Sequence, residues 1–389
     1  MSSRRLPALL ILLSVLACGS GTGPDAASVA PDASNASSRS SSTPLTPSVF
    51  ATGFEFPRGL SFGPNGDLYV AEAGAGGAGN TVGQCTQVIP PVGPYHNGPT
   101  ARISRVERAG NRTTFASGFP SGVNALGDFL GVADVAFVGE KMFALSSGGG
   151  CSHGTTAAPA GIVMVSKLGA WSTIADLSAW QAAHPVAQPN PGDFEPDGSW
   201  YGMISSQGSL VAVEPNHGEV IRVNPRTGAI TRLADISATQ GHIVPTVIAE
   251  RRGAFYLSSL GTFPGTPGSQ KILRLSRSGE VSEVATGFTA VLGLDFDSHG
   301  RLYVLETGEA GGFPAPGTGR VVRLDRKGNR VVIVEGLFLP TGLRIGPDKQ
   351  LYISNKGFGP PQPGEVLRVD LRPKGDGDDS DDMESGHDD

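Results

Sequence analysis

The side chains best suited to acid–base or metal chemistry are scattered along the 389-residue chain instead of forming one motif. A zinc site of the H-E-x-x-H kind needs two histidines one helical turn apart. The seven histidines show no such spacing: His96, His153, His184, His217, His242, His299 and His387. The sequence therefore predicts no histidine-based metal centre. Scattered surface or loop roles are expected for the histidines, and His96 and His153 are the stronger candidates for a functional role because they lie in long loops.

Two glycine motifs match patterns of nucleotide-binding or hydrolytic sites but lack the context those sites need. The segment GAGGAG at residues 74–79 fits G-x-G-x-x-G, yet no helix follows it that could direct its N-terminus at a phosphate. The segment GLSFG at 59–63 fits G-x-S-x-G, yet Ser61 lies within an alternating strand. We expect neither chemistry here.

The three cysteines carry two separate predictions. Two arginines and the apolar run LPALLILLSVLA precede Cys18, which is the layout of a signal peptide ending in a bacterial lipobox. We expect residues 1–18 to be a lipoprotein signal peptide with lipid attached to Cys18; the alternative is an ordinary signal peptide with an incidental cysteine. Export would leave Cys85 and Cys151 either as a disulfide, which we favour, or as free thiols.

A repeated β-hairpin forms the framework that positions the histidines, glycine motifs and cysteines described above. The segment PRGLSFGPNGDLYVAE at 57–72 recurs as VLGLDFDSHGRLYVLE at 291–306 and as PTGLRIGPDKQLYISN at 340–355. Each copy is a strand, a turn rich in Gly, Pro, Asn and Asp, and a second strand. Weaker copies at 133–145, 201–214 and 246–258 bring the number of predicted β-hairpins to six.

A second strand pair follows each of the first five hairpins, whereas the sixth is followed by one strand, GEVLRVDLRP. The missing partner is SVFATGF at 48–54, which resembles EVATGF at 283–288. We therefore predict an all-β fold, a six-bladed β-propeller with four-stranded antiparallel blades, whose last blade is closed by an N-terminal strand. It would span residues 44–374, between a flexible tether at 19–43 and a disordered acidic tail at 375–389.

Composition agrees with this architecture. The 56 glycines, 30 prolines and 17% charged residues suit short strands joined by tight turns and disfavour long helices. The net charge of −6 comes from the tail, which holds eight acidic residues and no lysine or arginine. Residues 44–374 contain 27 basic and 26 acidic side chains, so no basic surface indicates a nucleic acid partner.

The long segments of the chain fall on one predicted face. Turns between the first and second strands and between the third and fourth share one face and are uniformly short. The other loops share the opposite face, and they include the long irregular segments 73–100, 120–132, 146–160 and 178–199. We predict that this long-loop face is functional, above all over blades one to three. Cys85 and Cys151 lie there, in equivalent loops of adjacent blades.

One residue of each innermost strand is predicted at the mouth of the central channel: Arg58, Ala133, Tyr201, Thr246, Leu292 and Thr341. Four of these residues are candidate contacts for an anionic or carbonyl-bearing ligand: Arg58, Tyr201, Thr246 and Thr341. Tyr95 and His96, from the first long loop, are candidate contacts for the same ligand. The alternative is that Tyr201 and the threonines only satisfy neighbouring strands. The residues ending the second strands are predicted to cap turns: Glu72, Glu214, Glu306 and Asn355.

Four parts of the chain resemble the ScyD/ScyE family of exported β-propellers. They are the lipobox, the 57–72 unit, the segment SWYGMISSQGSLVAVEPNHGEVIRV at 199–223 and the segment VPTVIAERRGAFYLSSLGTFPGTPGSQKILRL at 244–275. More distantly, the chain is similar to NHL-repeat, gluconolactonase-like and soluble quinoprotein sugar dehydrogenase propellers. The family resemblance implies the architecture and export, but supplies no catalytic residues.

The gluconolactonase resemblance implies a channel metal held by Glu, Asn and Asp at the starts of innermost strands. At those positions this chain offers only Asp134 as a nearby carboxylate, while a hard cation needs several oxygen donors. A quinoprotein dehydrogenase would need a histidine and basic groups on the loop face. Arg58 and His242 could contribute to such a site, but no motif matches.

These observations predict a non-catalytic binding module without cofactor or metal, exported to the periplasm or cell surface. Its expected partners are the membrane, through the N-terminal lipid, and an unknown small molecule or protein on the long-loop face. A metal-dependent gluconolactonase-like hydrolase and a quinoprotein sugar dehydrogenase-like oxidoreductase remain the alternatives.

Overall fold

A computed structural model describes residues 43–309, 311–325 and 327–372. The predicted signal peptide, Cys18, nearly all of the tether and the acidic tail lie outside these residues. Within them, 25 strands form six antiparallel sheets, which confirms the predicted six-bladed propeller. No helix in the described ranges is long and apolar enough to span a membrane.

The blades follow one another along the chain. Blade one contains β2 (Pro57–Phe62), β3 (Leu68–Glu72), β4 (His96–Val106), β5 (Arg112–Val123) and the short β6 (Phe129–Leu130). Blade two contains β7 (Val132–Val138), β8 (Lys141–Ser146), β9 (Gly161–Val165) and β10 (Trp171–Asp176). Blade three contains β11 (Gly202–Ser206), β12 (Ser209–Glu214), β13 (Glu219–Val223) and β14 (Ile230–Asp235).

The second half repeats this order. Blade four contains β15 (Pro245–Arg251), β16 (Ala254–Ser259), β17 (Gln270–Leu275) and β18 (Val281–Phe288). Blade five contains β19 (Val291–Phe296), β20 (Leu302–Glu306), β21 (Gly319–Leu324) and β22 (Arg330–Leu337). Blade six contains β23 (Gly342–Ile345), β24 (Leu351–Asn355), β25 (Gly364–Val369) and β1 (Ser48–Phe54).

The N-terminal strand closes the ring as predicted. β1 pairs antiparallel with β25, from Ser48 opposite Arg368 to Phe54 opposite Gly364. Phe54 is 2% exposed and packs in a cluster with residues of blades one and six. Because the outermost strand and the rest of its blade come from opposite ends of the chain, every blade is held between two neighbours.

The hydrophobic core is divided into layers between blades. Each of the six buried clusters in the described residues combines side chains from two adjacent blades. The repeat explains this packing: the Phe ending an inner strand meets the Tyr of the second strand in the preceding blade. The ring centroids are 4.8–5.2 Å apart in three such pairs: Phe62–Tyr352, Phe137–Tyr69 and Phe296–Tyr256.

Helices are short and lie in the connections between blades. α1 (Leu177–Ala183) begins after Asp176, whose side chain accepts a 2.8 Å hydrogen bond from the amide of Ala179. The four-residue α2 (Ser237–Gln240) follows blade three, and 3-10 turns occupy Cys151–His153 and Pro191–Asp193. The expectation of no long helix therefore agrees with the described structure.

Candidate functional site

The long-loop face is most elaborate at blade one, where β4 and β5 extend beyond the blade. His96 to Gly98 pair with Val123 to Ser121, and the short β6 adds to the same ladder. Part of the segments 73–100 and 120–132, predicted as irregular loops, is thus a projecting β-ribbon. The sequence signal for it was weak because Gly, Pro and Asn interrupt the alternation of apolar residues.

A disulfide joins the loops of blades one and two, which confirms the favoured pairing. Cys85 and Cys151 are bonded, with their Cα atoms 6.3 Å apart. Beside the bridge, the Asn97 amide donates to the carbonyls of Gly148 and His153 at 2.7 and 2.9 Å. These bonds join the two loops into one unit.

Buried polar groups connect that unit to the segment between blades two and three. Nε2 of the fully buried His153 lies 3.5 Å from one Glu195 carboxylate oxygen, and the Tyr95 hydroxyl lies 3.4 Å from the other. Asp197 accepts hydrogen bonds from the amide and hydroxyl of Ser152 at 2.7 and 2.6 Å. We call the joined loops of blades one to three, within residues 73–100, 120–132, 146–160 and 178–199, the platform.

Burial and the neighbouring Glu195 side chain shift the pKa values of two platform residues, His153 and Tyr95. Burial alone would lower the pKa of His153, but the Glu195 carboxylate beside it raises that pKa above its usual value. Burial, followed by the Glu195 charge, raises the pKa of Tyr95 well above its usual range. The shift at His153 favours its protonated imidazole, and the shift at Tyr95 keeps its phenol neutral beside the Glu195 side chain.

Tyr95 and His96 are adjacent in sequence but lie in opposite environments. Tyr95 is 3% exposed, with its ring centroid 5.1 Å from that of His153. His96 is exposed, and its Nε2 lies 3.5 Å from the Asn80 amide nitrogen. Of these two predicted contact residues, only His96 presents its side chain to solvent.

Arg58 lies at the channel mouth and is 7% exposed. Its guanidinium donates to the carbonyl of Gly357 in blade six and, at 3.0 Å, to that of Phe129 in blade one. Burial lowers the pKa of Arg58, while the nearby Tyr201 and Asp128 raise it. The positive charge is thus bonded to backbone carbonyls of two blades.

Tyr201 crosses the channel mouth. Its hydroxyl, on blade three, donates to the carbonyl of Thr341 on blade six at 3.0 Å, and these two blades are opposite each other in a ring of six. Burial is the main cause that raises the pKa of Tyr201 to about 12, so the phenol remains a donor at neutral pH. The cavity beneath it has a volume of about 40 Å³, close to that of one water molecule.

The two threonines also bond to backbone carbonyls of the following blade. Thr246 donates to Val291 at 2.7 Å, and Thr341 donates to Pro57 at 2.6 Å. The structure therefore brings Arg58, Tyr201 and Thr341 together at the channel mouth and gives the hydroxyls structural partners. Ligand binding by these residues stays a prediction.

Little or no role could be inferred from the sequence for three charged residues of the channel: Asp134, Asp295 and Arg344. Asp134 occupies the position where Gly59, Gly202, Gly293 and Gly342 occur in other blades, and its carboxylate accepts from the amide of Met203 in the next blade at 2.9 Å. Burial raises the pKa of Asp134 to about 6, against the opposing effect of Arg344. The sequence feature that could have identified Asp134 is that a charged residue stands at a glycine position of the repeat.

Asp295 and Arg344 occupy one equivalent position, two residues further along inner strands of neighbouring blades. Asp295 accepts from the amide of Ile345 at 2.8 Å, and Arg344 Nε donates to the carbonyl of Leu60 at 2.9 Å. Inner strands have one edge without a neighbouring strand. Side chains of the preceding blade therefore satisfy some of the backbone groups there.

The predicted turn-capping role of the residues at the second-strand ends is confirmed. Each side-chain oxygen accepts from the backbone amide of a residue shortly before the inner strand of the same blade. The donor–acceptor pairs are Glu55 to Glu72, Ser199 to Glu214, Thr289 to Glu306 and Phe338 to Asn355, at 2.6–2.9 Å.

The channel donor set does not fit a divalent cation. Both Asp134 oxygens accept backbone amides, and the equivalent positions around the mouth supply an arginine and apolar or hydroxyl side chains. Across the described ranges, no group of three or more His, Cys, Asp or Glu residues is placed to hold a metal. His242, considered for a quinoprotein site, has its Nε2 2.8 Å from an Asp193 carboxylate oxygen.

Comparisons with known proteins extend the fold assignment but not the chemistry. No protein-family model and no curated protein matches this sequence. Solved structures with the same fold include the calcium-binding protein regucalcin from Agrobacterium tumefaciens, at TM-score 0.51 and 15% identity over 84% of this chain and 94% of that one.

A putative oxidoreductase (glucose dehydrogenase) from Thermus thermophilus has TM-score 0.50 and 15% identity over 84% and 99% of the two chains. A Bacteroides thetaiotaomicron protein of unknown function has TM-score 0.52 and 12% identity over 84% and 72%. At these identities the likeness establishes the propeller fold alone.

Proposed function

We propose that this chain is an exported, lipid-anchored, non-catalytic β-propeller that binds a protein partner through the platform. The observation that carries the proposal is the joining of three blades' loops by the Cys85–Cys151 bridge and the buried His153–Glu195 pair. A surface fixed in this way loses little conformational freedom when a partner binds, so more of the contact energy contributes to affinity.

The exposed side chains of the platform suit a protein partner better than a small molecule. Val82, Ile89 and Leu126 are 57%, 40% and 58% exposed, and the exposed His96 lies in the same ribbon region. Apolar side chains among polar neighbours on a projecting surface are typical of protein interfaces. The bonded groups at the channel mouth support the non-catalytic part of the proposal, because the polar groups of Tyr201 and Arg58 are already bonded to backbone carbonyls.

Lipid anchoring and export form the second part of the proposal. They are supported by the lipobox at Cys18 and by the resemblance to the ScyD/ScyE family of exported propellers, membership of which we also propose. Expression of the full chain in a bacterial host with labelled palmitate should give a labelled, membrane-associated protein. The Cys18→Ala variant should lose the label and leave the membrane fraction; a labelled variant would contradict lipidation at Cys18.

Site-specific photocrosslinking in intact producing cells tests the platform. A photoreactive residue at position 126 should give one discrete crosslinked species, and adding Val82→Glu and Ile89→Glu should abolish it. Phe313, 68% exposed on a loop of blade five, supplies the control position, where no such species is expected. Equal crosslinking at both positions, or crosslinking at 126 that survives the charged substitutions, would contradict a partner on the platform.

The enzymatic alternatives rest on fold likeness alone. Protein purified without chelators should contain no stoichiometric divalent metal and should not hydrolyse sugar lactones. It should also gain no sugar-dehydrogenase activity when supplied with pyrroloquinoline quinone. A stoichiometric, tightly bound ion together with lactonase activity would replace the binding-module proposal by a hydrolase.

A further inference from the structure

The face with short turns, opposite the predicted functional face, contains a cavity much larger than that at the channel mouth. A cavity of about 500 Å³ lies where the inner strands of blades one, two, three and six end. A second one, of about 320 Å³, follows the seam between blades one and six. Phe62, Gly66, Arg108 and Pro347 line both, so the two volumes adjoin at these residues. Together we call them the two-lobed cleft, and the size of each lobe is typical of small-molecule sites.

The cleft combines aromatic walls with cationic groups. Phe62 and Phe137 line the inner lobe, and Phe50 and Tyr352 line the outer one. These rings are held by neighbouring blades, because Phe62 packs edge-on against Tyr352 and Phe137 packs against Tyr69. The apolar surface is therefore preformed by the same contacts that build the core.

Glycine makes this ring packing possible. A Cβ at Gly346 would lie 2.8 Å from the Tyr352 ring and 3.0 Å from that of Phe62. A Cβ at Gly63 would lie 2.7 Å from the Tyr69 ring and 3.3 Å from that of Phe137. Only glycine at these strand ends lets the aromatic rings approach the turns so closely.

Three arginines line the cleft: Arg344 in the inner lobe, Arg108 between the lobes and Arg368 in the outer lobe. The exposed Arg108 has its Nη2 3.3 Å from the carbonyl oxygen of Asn65. Arg344 Nη1 lies 3.9 Å from an Asp295 oxygen, beyond hydrogen-bond distance. Of the charged residues that line the cleft, three are arginines and one is a carboxylate, Asp348, which accepts the Tyr352 hydroxyl at 2.8 Å. Asp134 and Asp295 interact with Arg344 but do not line the cleft.

We propose that the two-lobed cleft binds a small organic anion with a flat aromatic body. Its anionic group would lie between Arg108 and Arg344, where guanidinium donors match a carboxylate or sulfonate. Its apolar body would pack against Phe62 and Phe137. This site is on the face opposite the platform and is independent of the partner proposed there.

The acidic C-terminal residues are the competing occupant. Val369, the last residue of β25, pairs with Leu351, which follows a short turn, so the chain leaves blade six on the face of the cleft. Residues 375–389 hold eight acidic groups but no aromatic residue. The tail complements the arginines and not the aromatic walls, so the observations favour the small aromatic anion.

Fluorescence titration with 8-anilinonaphthalene-1-sulfonate, an aromatic sulfonate, tests the proposal on the mature full-length chain. We expect saturable binding at one site, weakened about tenfold by Arg108→Gln, as the loss of one charge-assisted hydrogen bond would give. Arg277→Gln is the matched control, because Arg277 donates to the Gly253 carbonyl of a blade four turn as Arg108 does to Asn65 in blade one. It should leave the dissociation constant unchanged.

Two further measurements decide the outcome. The uncharged analogue N-phenyl-1-naphthylamine should bind no more weakly to Arg108→Gln than to the wild type. Ser205→Trp, at an exposed position of the inner lobe, should block the sulfonate. Equal effects of Arg108→Gln and Arg277→Gln, or non-saturable binding, would overturn the proposal. So would sulfonate binding seen only after residues 375–389 are deleted, which would assign the cleft to the tail.

Discussion

At the scale of single residues, Asp134 shows how the repeat was adapted. It replaces a glycine of the repeat with a buried carboxylate that accepts the Met203 amide of the next blade. A buried carboxylate is costly unless it is well bonded, and here burial raises the pKa of Asp134 to about 6 from 3.8. The folded state therefore binds the proton more tightly than the unfolded chain does.

This shift gives a signed pH dependence. Between about pH 4 and pH 6 the folded protein holds more protons at Asp134, so this residue's contribution to stability falls as pH rises through that window. Asp134→Asn removes this proton linkage but also one of the two accepted backbone hydrogen bonds, since a carboxamide has a single acceptor oxygen. Relative to the wild type, the variant should therefore be more stable at pH 7.5 than near pH 3.5, by at most about 3 kcal/mol. Urea unfolding of both proteins at the two pH values measures the effect.

The exposed Asp348→Asn is the control for a general change of charge and should not reproduce the pH-dependent difference. If the stability of Asp134→Asn relative to the wild type did not rise between pH 3.5 and pH 7.5, the ionised carboxylate would not be disfavoured in the folded state and the sign argued above would be wrong.

The residue scale also shows the limits of prediction from sequence. Position within the repeat placed Arg58, Tyr201 and Thr341 at the channel mouth, because every inner strand begins there. It could not reveal that the Tyr201 hydroxyl reaches the opposite blade, since that bond depends on the channel diameter. Asp295 and Arg344 were missed because charges on strands are ordinarily solvent-facing, whereas these two face the next blade.

Among the secondary-structure elements, β1 was predictable from the periodicity of the hairpin repeat and from the number of strands in each blade. A missing fourth strand in blade six required a partner, and the only matching segment was at the other end of the chain. The ribbon formed by β4 and β5 was less accessible, because Gly, Pro and Asn interrupt it. Strand pairs in which apolar and polar residues alternate strongly were thus predictable, and strand pairs that depend on contacts between loops were not.

The closure strand gives a test of ring stability. Deleting residues 44–54 should destabilise blade six and the whole ring, because β25 would lose its outer partner strand and the core would lose the buried Phe54 side chain. Phe54→Ala, the milder change, should cost about 3–5 kcal/mol, as for other buried Phe truncations. Val49→Ala, on the same strand but 57% exposed, should cost less than about 0.5 kcal/mol. Thermal unfolding measures all three, and a truncated protein that melted like the full-length chain would refute the closure role.

The disulfide gives a test of the platform as an element. Cys85 and Cys151 are separated by 66 residues, so the Cys85→Ser/Cys151→Ser variant should lose about 2–4 kcal/mol of stability. Hydrogen exchange should rise mainly in residues 79–97 and 146–160, because the bonds of Asn97 and Asp197 would lose their common anchor. Exchange that rose uniformly over all six blades would show that the bridge stabilises the ring rather than the platform.

At the scale of the whole molecule, function and repeat occupy different parts of the propeller. The repeat supplies six layers of core between blades, while the loops that interrupt it form the platform. The cleft at the short-turn end lies among residues of four blades, so neither its volume nor its arginines could be inferred from any one repeat. Features that follow from position in the repeat were predictable from sequence, including the disulfide between equivalent loops of two blades. Cavities and hydrogen bonds that need side chains of several blades to meet were not.

Tyr201 links opposite sides of the ring and gives the last prediction. Tyr201→Phe keeps the ring but removes the hydrogen bond between blade three and the buried Thr341 carbonyl of blade six, so we expect a loss of about 1 kcal/mol. Faster hydrogen exchange should appear in both blades, at the starts of β11 and β23, because each loses the same cross-channel partner. Tyr256→Phe, where the ring packs on Phe296 between adjacent blades, is the control and should affect blades four and five at most. If Tyr201→Phe loosened blade three alone, Tyr201 would be a local side chain and not a strut across the channel, and the channel mouth would again be open to a ligand.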